Sequence, residues 1–231
     1  MFTGIVQEIG TIRGRTPAGK AVRFAFEAPH LARSLAVGDS VSCDGVCLTV
    51  ETRTPDGFTA CAVPETLEKT TLNLWAVGGF VNLEGALTAA TPLGGHFVLG
   101  HVDGTCEVTR TRDLGDGGRE LEVRVPPAFI ACCVYKGSIT LAGVSLTIAA
   151  VEGDRVRVAL IPHTLEATTL KFAAPGGRLN FEVDIIAKHV ARQLAARFGD
   201  AGDAGDAGKA PGAPHTLDAA SLQSWGYEAR P

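Results

Sequence analysis

Along most of the chain, apolar and polar residues alternate one for one over short stretches. Val22, Phe24 and Phe26 alternate with Arg23, Ala25 and Glu27, Leu121, Val123 and Val125 with Glu122 and Arg124, and Val156, Val158 and Leu160 flank Arg157. A period of two puts successive side chains on opposite faces, so these stretches predict half-buried β-strands. Pro55-Asp56-Gly57, Gly115-Asp116-Gly117-Gly118, Glu152-Gly153-Asp154 and Pro175-Gly176-Gly177 punctuate them with turn chemistry. Short strands at regular spacing predict a small barrel or sandwich, and closure into a barrel removes exposed edges. The period changes only near the C-terminus. Ile186, Val190, Leu194 and Phe198 recur every fourth residue, with Ala187, Ala191 and Ala195 beside them and Lys188, Arg192 and Arg197 on the polar side. This predicts an amphipathic helix over 184–198, capped by Asp184 and ended by Gly199. Its apolar stripe suits either its own domain or a seam between subunits.

The pattern is used twice. Gly45-Val-Cys-Leu-Thr-Val50 and Pro64-Glu-Thr-Leu-Glu-Lys-Thr-Thr-Leu72 return 98 residues later as Gly143-Val-Ser-Leu-Thr-Ile148 and Pro162-His-Thr-Leu-Glu-Ala-Thr-Thr-Leu170. Over 61–84 and 159–182, 12 of 24 positions are identical, among them Asn82 with Asn180 and Glu84 with Glu182. Such a repeat sets the architecture. It predicts two homologous domains, over 1–92 and 93–183, followed by the helix over 184–198. The low-complexity stretch Gly199 to Pro214 and the residues after it, 199–231, read as a flexible tail. Phe2-Thr-Gly-Ile-Val6 aligns with Val98-Leu-Gly-His-Val102 at an offset of 96, so the second copy carries a small insertion, expected in the Arg110–Arg119 turn. Gly4 and Gly100 mark a close approach of a ligand or another backbone. Thr66–Leu72 and Thr164–Leu170 predict short helices capped by Thr66 and Thr164.

Composition narrows the classes. The chain has 231 residues, is 45% hydrophobic and 20% charged, and carries a net charge of −4. That is a soluble globular composition, with no basic patch for nucleic acid. No apolar run reaches the roughly 18 residues of a membrane span. The N-terminus lacks a basic start and a long apolar core, so a cytoplasmic protein is expected. The six cysteines show no Cys-x-x-Cys, and Cys43 and Cys47 correspond to Leu141 and Ser145. A disulfide or zinc framework would be expected to recur in both copies, so most of these residues read as packed thiols.

Two matched domains imply two similar pockets, and the mismatches between copies carry the chemistry. Ile5 aligns with His101, Cys47 with Ser145, and Glu65 with His163. Each pair offers different acid–base or nucleophilic character inside one frame.

Several segments together resemble the alpha-chain riboflavin synthases. They are Met1-Phe-Thr-Gly-Ile-Val-Gln7, Gly45 to Val50, Gly94-Gly-His-Phe-Val-Leu-Gly-His-Val-Asp103, Tyr135-Lys-Gly-Ser-Ile139, Gly143 to Thr147 and Ile161-Pro-His-Thr-Leu165. The resemblance covers 1 to about 198 and leaves out the tail. It implies an all-β fold: two tandem six-stranded antiparallel Greek-key barrels followed by a C-terminal α-helix. It implies that two molecules of 6,7-dimethyl-8-ribityllumazine exchange a four-carbon unit, giving riboflavin and 5-amino-6-(D-ribitylamino)uracil. No metal or redox cofactor takes part, which agrees with the lack of metal-ligand spacing and of a glycine-rich nucleotide loop. A homotrimer is implied, with the C-terminal helices as its seam and each active site shared between neighbouring subunits. Association with lumazine synthase is a further expectation.

Carried over residue by residue, the match puts Gly4, Ile5, Val6, Cys47, Leu48, Thr49, Cys61, Ala62, Val63, Pro64, Glu65 and Thr66 around the first pocket. It puts Gly100, His101, Val102, Ser145, Leu146, Thr147, Ala159, Leu160, Ile161, Pro162, His163 and Thr164 around the second. Phe2 and Thr3 form a required N-terminal segment, and Lys136 reaches the neighbouring subunit's ligand. His101, Ser145 and Cys47 are the catalytic candidates. A histidine titrates near neutrality, and a hydroxyl or thiol can orient or attack a heterocycle. Packing competes with chemistry for Cys47, because no base beside it is identifiable. Glu65 and His163 read as ribityl contacts or helix caps, and Glu68 and Glu166 as structural. Where the family usually has Asp or Asn between Leu141 and Gly143, this chain has Ala142, which removes a polar group expected near the second pocket. A non-catalytic lumazine or flavin carrier of the same fold is the alternative.

Overall fold

In the computed structural model, which describes residues 1–198, the chain forms two closed antiparallel barrels and a C-terminal helix. The first barrel contains β1 (Glu8–Ala18), β2 (Ala21–Glu27), β3 (Ser40–Cys43), β4 (Val46–Thr54), β5 (Gly57–Ala62) and β6 (Phe80–Gly85). Around the barrel their order is β1-β2-β5-β4-β3-β6. The second barrel repeats that order with β7 (Gly104–Asp113), β8 (Arg119–Arg124), β9 (Ser138–Leu141), β10 (Val144–Glu152), β11 (Arg155–Leu160) and β12 (Arg178–Val183). A short helix follows the fifth strand in each copy: α1 (Pro64–Lys69) and its counterpart α3 (Pro162–Ala167). Between them lies α2 (Pro127–Ile130), and α4 (Ile185–Phe198) ends the described chain.

The alternating pattern fills the barrels as expected. Phe24, Phe26, Val50, Phe58 and Leu83 point into the first core, and Val108, Leu121, Val123, Ile148 and Phe181 into the second. Each barrel's closure leaves no strand edge unpaired in the ring. The first core is richer in rings: Phe26 and Phe58 stand 4.9 Å apart, and Trp75 meets Phe24 edge-on at 5.4 Å.

The two barrels meet about a pseudo-two-fold axis. Asn82 donates from Nδ2 to the Ala142 carbonyl at 2.8 Å and accepts from the Thr169 N–H at 2.7 Å. Asn180 reciprocates, donating to the Asp44 carbonyl at 3.0 Å and accepting from the Thr71 N–H at 2.7 Å. These amides therefore satisfy, across the seam, backbone groups that burial would otherwise strand, at about 1–3 kcal/mol for each group left unmade. At the axis the hairpin tips touch. A Cβ on Gly143 would stand 2.6 Å from the Gly45 nitrogen, so only glycine fits there.

Three expectations need correction. Thr66 and Thr164 do not cap: Val63 and Ile161 hold the N-cap positions, with no side-chain hydrogen bond. The hydroxyls that cap are Thr70 and Thr168, which accept from Leu72 N and Leu170 N at the following 3₁₀ turns. The insertion is split. One residue lengthens the β7–β8 hairpin, where Asp113 pairs with Arg119 against Pro17 with Val22. The other lies between Val125 and Lys136, whose N–H groups make the bonds made ten residues apart by Ala28 and Gly38. Ala142 is no pocket residue but sits in the seam with φ of 46°, a backbone that Asp and Asn tolerate better than Ala. There Asp44, its counterpart, accepts from Asn82 N at 2.8 Å, a bond that Ala142 cannot offer Asn180. Finally, Gly199 and the tail over 199–231 lie outside the described residues.

Helix α4 begins as expected: Asp184 Oδ1 accepts from Ile186 N at 2.9 Å. Ala187 and Ala191 pack on the second barrel, and Lys188 pairs with Asp103 at 2.7 Å. Ile186, Val190 and Leu194 are each about half exposed, at 55%, 52% and 51%.

Loss of water at the seam pushes the Asp44 carboxyl up from 3.8 to about 7. Its folded value therefore lies above its unfolded one. The stability gained from holding that proton is fully present below about pH 4 and is lost as pH rises through about 7. Asp44→Asn should leave stability nearly unchanged at pH 4.5 and raise it at pH 8 by on the order of 1–2 kcal/mol, since some water still reaches the residue. Urea unfolding at the two pH values reads the difference, and equal effects at both would show that Asp44 stays ionised.

Candidate functional site

Each barrel receives a short extended strap from the residues just before its first strand. The straps cross. Phe2 and Val98 pair as an isolated antiparallel bridge, with N–H···O distances of 2.7 and 3.1 Å. A buried carboxylate from the sixth strand pins each strap from its own domain: Glu84 accepts from Thr3 N, Thr3 Oγ1 and Gly4 N at 2.7, 2.7 and 2.9 Å. Glu182 accepts from Leu99 N and Gly100 N at 2.8 and 3.0 Å. Burial raises both carboxyls, while these N–H donors pull them back down.

Thus pinned, each strap presents its glycine to the opposite barrel. The Gly4 carbonyl accepts from Ser145 N at 2.8 Å, and the Gly100 carbonyl from Cys47 N at 2.9 Å. Val6 packs on the second core and Val102 on the first. The expected grouping is therefore exchanged. Gly4, Ile5 and Val6 belong with Ser145, and Gly100, His101 and Val102 with Cys47. A motif match gives proximity along the chain, and the crossing of the straps reverses it in space.

On the first barrel, Cys47, Leu48, Thr49, Glu51, Cys61, Val63 and Thr66 line an open cavity of about 240 Å³. It lies on the outer barrel wall, where β4 and β5 part beyond the Val50–Ala60 pair. Cys47, Thr49 and Cys61 face outward, whereas Leu48 and Ala62 are core residues whose side chains point away. Pro64 and Glu65 open α1 beside it and are exposed. The second barrel carries Ser145, Thr147, Ala159, Ile161, Pro162, His163 and Thr164 at the matching positions, with Leu146 and Leu160 turned into its core. Glu51 is replaced there by Ala149. His101 is exposed beside Gly100, at the Cys47 side. Lys136 sits apart from both, on the turn before β9, with φ of 63° and Nζ over the Tyr135 ring. Its counterpart is Gly38 with φ of 94°, so the lysine holds a strained backbone where the first copy uses glycine.

His96 lies within the Gly94–Asp103 motif, and no spacing or periodicity in the sequence assigns it a role. Its Nδ1 lies 2.7 Å from Ser145 Oγ. Desolvation lowers its pKa, with Asp184 acting the other way, so the ring is neutral near pH 7. Glu84, Glu182, Asn82 and Asn180 were visible only as identities between copies, and their pairing across the seam was not. All six cysteines are free, and burial pushes Cys106 and Cys133 up to about 12, as packed thiols require. Among the described residues, no group of three or more His, Cys, Asp or Glu could hold a metal ion. No described helix is long and apolar enough to cross a membrane.

Two matched barrels, each bonded by its sister's strap and the first with a small outer-wall cavity, define a tandem-barrel protein of the small-molecule-binding class. The lumazine binding domain model matches residues 3–86 and again 99–184, and the chain belongs to the riboflavin synthase family. It is 41% identical to the riboflavin synthase of Bacillus subtilis over 194 residues, 84% of this chain and 90% of that one. It is 43% identical to that of Mycobacterium bovis over 196 residues, 83% of this chain and 97% of that one. Among solved structures, LumP complexed with riboflavin superposes with a TM-score of 0.72 at 25% identity, covering 79% of this chain and 99% of that one. LumP complexed with 6,7-dimethyl-8-(1′-D-ribityl) lumazine has a TM-score of 0.71 at 23% identity, covering 79% of this chain and 99% of that one.

The crossing predicts a sharp steric test. A Cβ on Gly100, where φ is 77°, would stand 2.7 Å from Cys47 Cβ and 2.8 Å from a ring carbon of Phe2. Gly100→Ala should lower stability by about 2–3 kcal/mol, from αL strain plus the clash. Gly19→Ala, at φ of 67° with open space around it, should show about 1 kcal/mol from backbone alone. Equal losses in denaturant titrations would mean that the straps do not approach this closely.

Proposed function

We propose that the chain converts two molecules of 6,7-dimethyl-8-ribityllumazine into riboflavin and 5-amino-6-(D-ribitylamino)uracil, as the final step of riboflavin synthesis in the cytoplasm. The observation that carries this is the pair of matched strand positions with unlike reactive groups, Cys47 on one barrel and Ser145 on the other, each bonded through its N–H to the opposite strap's glycine. The identity to named riboflavin synthases supports it. One pocket offers a thiol with His101 beside it, and the other a hydroxyl with an imidazole on it. That difference suits a reaction in which two identical substrates take unlike parts.

Much of the acceleration then comes from holding two flat heterocycles face to face, since pre-organised encounter is worth roughly 7–11 kcal/mol. Outward strand ends offer backbone N–H and C=O groups to a uracil-like edge, and Thr49, Thr66, Thr147 and Thr164 offer hydroxyls to the ribityl chain. Glu65 and His163 stand at the same helix starts and serve the ribityl side. Cys47 and Ser145 lie on different barrels, and in this reading the two ligands of one reaction are brought together from barrels of neighbouring subunits. In this reading the half-exposed stripe Ile186, Val190 and Leu194 forms the seam of a homotrimer, Lys136 reaches the neighbour's ligand, and the assembly associates with lumazine synthase. The domains divide at 1–92 and 93–183, with 184–198 as the oligomerisation helix.

The LumP structures favour a second reading, a carrier that binds lumazine without converting it. Purified chain mixed with the lumazine alone should generate riboflavin, seen by its green fluorescence and by chromatography. Tight binding without riboflavin would establish the carrier, and no binding would sink both. Replacing Ile186 and Val190 together by Glu should convert the trimer to a monomer in light scattering and abolish most turnover. A monomer that turns over at the wild-type rate would refute the shared site.

A further inference from the structure

Two consecutive carbonyls of the first strap hold two residues that are far apart in sequence. Thr3 O accepts from His96 N at 3.1 Å, and Gly4 O accepts from Ser145 N at 2.8 Å. Their side chains then meet, with His96 Nδ1 at 2.7 Å from Ser145 Oγ. The second ring nitrogen, Nε2, lies 3.3 Å from Thr140 Oγ1 on β9. The approach depends on Gly95. A Cβ there would stand 2.1 Å from Thr3 O and 2.8 Å from Ser145 Cβ. The glycine therefore lets the chain pass close enough to lay the imidazole on the hydroxyl.

We propose that His96 is a positioning residue for the reaction: gripped by the strap, it accepts the hydroxyl proton of Ser145 in a hydrogen bond and leaves that oxygen's lone pairs facing the ligand of the second barrel. The inference rests on the reading of that barrel as one of the two lumazine pockets.

A neutral imidazole has one accepting and one donating nitrogen. With Nδ1 accepting from Ser145, Nε2–H donates to Thr140 Oγ1, so both contacts are satisfied by one tautomer. The desolvation that keeps the ring neutral suits this arrangement, because an imidazolium would donate to Ser145 and turn its lone pairs away from the pocket. Asp184 is the charged group that acts on the ring, and the carboxylates of Glu84 and Glu182 are occupied by strap N–H groups. Of the two matched residues, only Ser145 has a histidine hydrogen-bonded to its side chain among the described residues. The site thus makes one hydroxyl an oriented acceptor, whereas the Cys47 thiol has no histidine hydrogen-bonded to it among the described residues. The strap has a role beyond sealing the seam, since moving Thr3 and Gly4 would displace both members of the pair.

The test uses the full chain and measures riboflavin formation from 6,7-dimethyl-8-ribityllumazine in His96→Ala, Ser145→Ala and the double variant. His96→Ala should lower kcat about tenfold or more, with KM within about twofold of wild type. The double variant should be no slower than the poorer single one, because both changes remove one unit. Added imidazole should restore part of the rate to His96→Ala and none to the double variant. A wild-type rate in His96→Ala, or losses that simply multiply, would overturn the proposal. Should His96→Ala fail to fold, His96→Asn and His96→Leu carry the comparison. Asn offers the hydroxyl an acceptor and Leu does not, so a faster Asn variant supports the role and equal rates overturn it. A wild-type chain that makes no riboflavin would remove the functional reading, and the inference with it. An active wild type with an equally active His96→Ala removes the inference alone.

Discussion

A buried carboxylate gripping backbone N–H groups is the constraint on which the rest depends. Glu84 and Glu182 each satisfy the donors of a strap that has no sheet of its own to join. Such charge-assisted bonds are roughly twice as strong as neutral ones, and losing them would leave carboxylates buried without partners. Because each strap is fixed from its own side, its glycine carbonyl is free to bond the other barrel. The crossing follows from that, and with it the placement of each strap against the other barrel.

The second layer of dependence is reciprocal. Asn82 and Asn180 exchange bonds with hairpin carbonyls and 3₁₀ turns of the opposite barrel. Apolar packing between two closed barrels would permit sliding, since the hydrophobic effect is non-directional. Four directional bonds per axis fix the register, and with it the placement of Ser145 under Gly4 and of Cys47 under Gly100.

The repeat made the barrels legible, because period-two alternation and a constant offset are local properties of the chain. The helix was equally plain from its four-residue spacing and Asp184. The segments that line the first barrel's cavity were readable as motifs, but which strap meets which barrel was not. Gly4 and Gly100 signalled close approach without saying to what. Their neighbours in space, Ser145 and Cys47, belong to the other copy, and no periodicity encodes a crossing. Ala142 misled for the same reason: it looked like a pocket position because it adjoins Gly143 and Ser145, yet the hairpin turns it into the seam. Thr66 and Thr164 do not cap because a proline at the first helical position makes Val63 and Ile161 the N-caps, and the threonines four residues on cap a different element, the following 3₁₀ turns. His96 stood in view and carried no signal, since its hydrogen bond to Ser145 depends on a strap some ninety residues earlier.

The exchanged straps also bear on how such a chain can change over time. Neither half is a self-contained module: the strand that carries Ser145 or Cys47 and the strap that bonds to it are encoded in different halves. A substitution at Gly4 is therefore felt at Ser145, and one at Gly100 at Cys47. The two pockets can drift apart in chemistry, as thiol and hydroxyl have done, but not in geometry. After duplication the halves remained bound to a common inheritance, and a recombinant that replaced one half with a distant relative's would inherit two hybrid sites rather than one new one.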